Sequence, residues 1–142
     1  MNESTYAVRP APRTALAAGA ALLVTLALAG CGGSDPTLGD LPAGVASARP
    51  SITADEANFV LAAQKLGAAV TGASVNDDIE TATTTCWALK NSGVQLAQIA
   101  VDDDNKPLPN TGEALRTKQL MAAGVQTFCP DYDGQVSQLK LP

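Results

Sequence analysis

Histidine is absent from the 142 residues. That removes the commonest general base and the commonest metal ligand. Aromatic residues are only 4% of the chain, although 46% is hydrophobic. Alanine, leucine and valine therefore carry the apolar content, and little is left to line a sugar cleft. Basic residues are also few, nine Lys plus Arg against fourteen Asp plus Glu, for a net charge of −5. This balance argues against nucleic acid, which wants a basic face. The sequence holds no Gly-x-x-x-x-Gly-Lys phosphate loop and no Gly-x-Ser-x-Gly elbow. No apolar run reaches the roughly 20 residues that span a bilayer. The length allows one domain.

What is present begins with an address. Arg9 and Arg13 precede an uncharged apolar run from Ala15 to Ala29. As a helix, that run would reach roughly 22 Å at about 1.5 Å per residue. The hydrocarbon core needs about 30 Å. Residues 1–30 therefore read as an export signal with a basic start and a short apolar centre. Its end, Leu28-Ala29-Gly30-Cys31, resembles the lipobox of bacterial lipoproteins. The resemblance implies cleavage before Cys31, a diacylglycerol thioether on its sulfur and a further acyl chain such as palmitate on its new amine. Two or three chains give stable anchoring where one is marginal. The expected location is the extracytoplasmic face of the cell membrane, with the lipid at Cys31 as the membrane contact.

Without residues 1–30 the chain keeps seven basic and thirteen acidic side chains. Acidic protein is not drawn to anionic lipid, so the lipid would do the anchoring. Residues 31–52 are rich in glycine and proline and show no helical or strand period. They read as a lipidated, disordered tether. Residues 53–142 read as a small helical domain.

Thr53 and Glu56 form the pattern of a capping box. Behind them Phe59, Ala63, Leu66 and Val70 share one face of a helix over about 54–70, stopped by Thr71-Gly72. Asp77 and Glu80 open a second helix over about 78–90. One stripe of it carries Ile79, Thr83, Cys86 and Lys90, and an adjacent one carries Ala82, Cys86 and Leu89; Asn91-Ser92-Gly93 ends it. Thr81, Thr83, Thr84 and Thr85 are the main alternative site for a strand. Residues 94–101 fit a short helix or an extended segment, and the short helix is favoured. A loop over 102–110 leads to a last helix from Thr111-Gly112-Glu113. Its shared face is Ala114, Leu115, Lys118, Met121, Ala122 and Val125, and it closes at Phe128 and Cys129 before Pro130. The expected fold is all-α, a small bundle of three to four helices closed by one disulfide.

That disulfide follows from parity. With Cys31 lipidated, Cys86 and Cys129 remain in an exported domain, where such a pair is usually oxidised. The alternatives are a metal site or a catalytic thiol. Zinc needs about four ligands, and a cysteine nucleophile normally needs a histidine. Asp102, Asp103 and Asp104 superficially suggest a calcium loop, but Lys106 stands where a third acid belongs, and the glycine and distal glutamate are missing. They read as a solvated loop, with weak divalent binding as the alternative. Asp131-Tyr132-Asp133 reads as a solvated tail. Haem would have only Met121 and Tyr132 to ligate it. No metal and no cofactor are expected.

Trp87 follows Cys86, so it points about 100° away around the helix. It is the one candidate ligand contact. Carboxylates such as Asp77, Asp78 and Glu80 leave a hydrolase as the alternative function. Phe59-Val60, Cys86-Trp87-Ala88-Leu89 and the stretch from Ala122 to Pro130 resemble domain-of-unknown-function family 732, small exported helical proteins of mycobacteria and related actinobacteria. The resemblance implies a helical fold and the cysteine pairing, and nothing catalytic. The leading expectation is a non-enzymatic envelope protein that binds an unknown protein or small molecule.

Overall fold

The structure is a computed structural model and describes residues 36–142. Cys31, the export signal and the first residues of the expected tether lie outside the described residues. The described chain is helical. Its elements are α1 (Val45–Ala48), α2 (Ala54–Lys65), α3 (Val75–Asn91), α4 (Leu96–Ile99) and α5 (Gly112–Phe128). A short 3₁₀ turn, Leu38–Asp40, precedes them, and a 3₁₀ run, Pro130–Leu139, follows. Three long helices and the one-turn α4 correspond to the expected bundle of three to four. Helix α5 is its centre, packing against both α2 and α3.

Helix α2 starts where the capping box puts it. The Glu56 N–H donates to Thr53 Oγ1 at 3.2 Å, and the Thr53 N–H donates to Glu56 Oε2 at 2.9 Å. It stops earlier than its apolar face suggests. Gly67 takes φ +93°, the Gly67 N–H reaches the Gln64 carbonyl at 3.0 Å, and the Ala68 N–H reaches the Ala63 carbonyl at 2.9 Å. Those two bonds are the Schellman closure, and glycine bears the left-handed residue at no steric cost. Val70 is buried as expected, but on the loop after α2, not on the helix.

Helix α3 begins three residues before the expected start. The four threonines lie inside it, as the helical reading requires. The hydroxyls of Thr81, Thr83 and Thr85 each donate to the carbonyl four residues back, at 2.8 to 2.9 Å. Ala82, Cys86 and Leu89 are buried, while Thr83 and Lys90 face solvent, so the second stripe is the true core face. Gly124 of α5 lies against it so closely that a Cβ there would meet Ala82 Cβ at 2.7 Å.

The described part of the expected tether is not a tether. Leu41 and Val45 belong to the core around Phe59, and Val45 is fully buried. Arg49 locks the segment down. Its guanidinium pairs with Glu56, through Nε at 3.1 Å and through Nη2, and donates to Asn76 Oδ1 at 2.8 Å. The reading failed here because one-turn elements are too short to show a period, and apolar residues spaced by glycine and proline look unburied until something packs on them. The far end needs the same correction. Asp131 and Asp133 are exposed, but Tyr132 and Val136 pack on the second core and Leu139 is buried within it, so residues 130–139 are not a solvated tail.

Candidate functional site

Side by side, α3 and α5 leave a furrow on one flank. Asp77, Thr81, Thr84, Thr85 and Ala88 of α3 form one wall, Thr117 and Met121 of α5 the other, and Ile99 of α4 closes it. The groove is open, with a volume of about 570 Å³, inside the range of small-molecule sites. Helical periodicity produces the α3 wall, since Asp77, Thr81, Thr84 and Ala88 recur at intervals of four, three and four.

The chemistry of the walls is mixed. Ala88, Ile99 and Met121 give an apolar floor. The hydroxyl protons of Thr81, Thr85 and Thr117 are committed to carbonyls of their own helices, the last to Glu113 at 2.9 Å. Those hydroxyl oxygens can still accept, and their methyl groups extend the apolar surface. Asp77 and Glu80 place two carboxylates at the rim. Such a site suits a molecule with an apolar body and a hydrogen-bond donor or positive charge at one end.

Of the carboxylates proposed for hydrolysis, Asp77 and Glu80 both line the groove and Asp78 does not. Asp78 is 3% exposed and turned away from the groove. Arg116 holds it, with Nη2 donating at 2.7 and 2.9 Å to its two oxygens and at 3.0 Å to the Ala69 carbonyl. This pair ties α3 to α5 and to the α2–α3 loop. Trp87 is 62% exposed and does not line the groove; it stands on the crest of α3, three residues beyond Thr84.

Cys86 and Cys129 are joined by a disulfide with Cα atoms 5.8 Å apart, both nearly fully buried. The acidic loop is organised by its own backbone: Asp102 Oδ1 accepts from the N–H groups of Asp104 and Lys106 at 2.9 Å, and Lys106 pairs with Asp104 at 3.5 Å. Among the described residues no group of three or more cysteines or carboxylates is gathered as a metal cluster would need, and no helix is long and apolar enough to cross a membrane.

Sequence reasoning missed the threonine wall, the Arg116–Asp78 pair and the burial of Lys118. Only the last left a legible trace, a lysine on an otherwise apolar face. No family model, no curated protein and no solved structure matches the chain.

Proposed function

We propose that this is a lipid-anchored protein of the cell envelope, related to domain-of-unknown-function family 732, that binds a partner or a small ligand without transforming it. The groove between α3 and α5 is its seat. The observation that carries this reading is the groove's composition, an apolar floor under threonine walls with two carboxylates at the mouth. Asp78 is engaged by Arg116, so the hydrolase alternative retains only Asp77 and Glu80, both exposed at the open mouth of the groove. The exposed indole of Trp87, beside the groove, extends the surface a bound molecule could touch. Anchoring rests on Leu28-Ala29-Gly30-Cys31, and Cys31→Ala should abolish incorporation of labelled fatty acid.

The test is native mass spectrometry of the full chain purified from its membrane, beside a Thr84→Arg variant. Thr84 is exposed on α3, so the substitution should fill the groove and leave the melting temperature unchanged. A molecule carried by the wild type and absent from the variant is the expected result. An equal load in both, or none in the wild type, counts against the groove.

A further inference from the structure

A second cavity, of about 450 Å³, has no part in the groove. It lies between α4, the residues just before α5, α5 itself and the chain's last residues. Ala97, Pro107 and Leu139 are among its apolar walls, and Asn110, Lys118, Gln138 and Lys140 are its polar ones; none of its lining residues is acidic. In an acidic protein this is a locally basic enclosure.

Lys118 is the unusual member. It is 5% exposed, and among the described residues it takes part in no ion pair. Its ammonium donates to two neutral oxygens, the Leu108 carbonyl at 3.3 Å and Asn110 Oδ1 at 2.5 Å. Asn110 is fixed in turn by its Nδ2, which donates to the Lys140 carbonyl at 2.7 Å. An ammonium has three protons, so one has no protein acceptor. Burying a charge without a counter-charge is costly, and buried lysines are normally paired. The other two buried or half-buried cations of the domain, Arg49 and Arg116, each have a carboxylate.

We propose that this cavity binds an organic monocarboxylate with a short aliphatic chain. Its carboxylate is the missing counter-ion of Lys118, with Lys140 beside it, and its chain lies against Pro107 and Leu139. A phosphate dianion fits less well, because it would bring two charges and several unmet acceptors against mostly apolar walls. The inference depends on neither the α3–α5 groove nor the lipid anchor.

The experiment is a nuclear magnetic resonance titration of the full chain in lipid-free solution, with hexanoate as probe and hexanol and inorganic phosphate as controls. Hexanoate should shift the amide signals of residues 97–100, of Leu108 and Asn110 and of residues 138–140, the Asn110 side-chain amide most of all. Neither control should do so at equal concentration. Lys118→Gln should weaken hexanoate at least about tenfold, the loss of one charge-assisted contact. If that variant does not fold, Ala97→Glu decides. Ala97 is exposed, and a carboxylate there supplies Lys118 with an internal rival that should abolish the hexanoate response. No hexanoate shifts in the wild type, equal shifts with hexanol or phosphate, or a full response in Ala97→Glu would each overturn the proposal and leave Lys118 as a clamp on the 107–110 loop.

Discussion

Around Phe59, helices of 12 and 17 residues meet side by side, and the core they share is aliphatic, with Phe59 stacked on Phe128 at 5.6 Å between ring centroids. Around Leu96 the chain is a one-turn helix, a loop and a 3₁₀ run, gathered on the far halves of α3 and α5. The first region makes most of its backbone hydrogen bonds within long helices and needs only to be packed. The second has little regular structure of its own, and it contains the disulfide. A covalent bond sits where local structure contributes least, as expected of a small domain whose thin core leaves stability marginal.

The sharpest way to break that contrast is to remove the bond. Cys86 and Cys129 are 43 positions apart, and in the chain-entropy model a loop of that size contributes about 4 kcal/mol. Cys86→Ser, Cys129→Ser and the double variant should lose similar stability in denaturant titrations. Hydrogen exchange should show amides of 96–99 and 131–139 opening before those of 57–63. Simultaneous opening of both regions would mean that the two cores are one cooperative unit.

A smaller effect tests the first core from its least regular side. Val45 is fully buried although it lies on a single helical turn. Val45→Ala should cost about 2 kcal/mol, the transfer free energy of the lost methyls plus the cavity they leave. A cost below about 0.5 kcal/mol would show that residues 36–50 merely rest on the domain.

Gly124 lies where the two regions adjoin. A methyl group there would meet both Cβ and Cα of Ala82, at 2.7 and 2.8 Å, and backbone cannot step aside as a flexible side chain can. Overpacking of this kind costs about 1–3 kcal/mol, offset by roughly 1 kcal/mol of helix propensity gained over glycine. Gly124→Ala should therefore lose up to about 2 kcal/mol in thermal unfolding. Gly124→Ala combined with Ala82→Gly should recover part of the packing loss, because the added methyl is matched by a removed one. No recovery would place the strain elsewhere.

The sequence made the first region more legible than the second, but not uniformly. The start of α2 was readable because Thr53 and Glu56 bond across three residues. The ends of α3 and α5 were readable because Gly93 and Pro130 act on their own neighbours. The cysteine pair was readable by counting. Burial of Leu41 and Val45 was not, since it depends on surfaces supplied by residues far along the chain. The 3₁₀ run carried a signal that the flanking Asp131 and Asp133 obscured: Tyr132, Val136 and Leu139 recur at intervals of four and three. Of the candidate site, Asp77 and Glu80 were named for their charge, but the threonine wall was read only as a secondary-structure ambiguity. The groove exists because α3 and α5 pack side by side there, which no local pattern encodes.

The smallest expected effect concerns how the amino-terminal segment is held on the first core. The Arg49 guanidinium, and after it the Thr53 N–H and hydroxyl, hold the Glu56 carboxyl below its ordinary value of 4.5. A carboxyl whose folded value is depressed contributes stability that is fully present above its unfolded value and is lost as the pH falls through its folded one. The contribution of the pair should thus be constant at neutral pH and fade below about pH 4.5. The pair is partly exposed, with Arg49 at 31% and Glu56 at 14% side-chain accessibility, so screening keeps it to about 1 kcal/mol or less. Arg49→Gln should lower stability by that amount at pH 7 and by less at pH 3, flattening the acid limb of the stability curve without abolishing it, because Thr53 still bonds Glu56. The same variant should speed proteolysis between residues 36 and 50 and leave exchange in the Leu96 core untouched. An acid limb as steep in Arg49→Gln as in the wild type would show that Thr53, not Arg49, holds the carboxylate, and that the segment stays in place through Leu41 and Val45 alone.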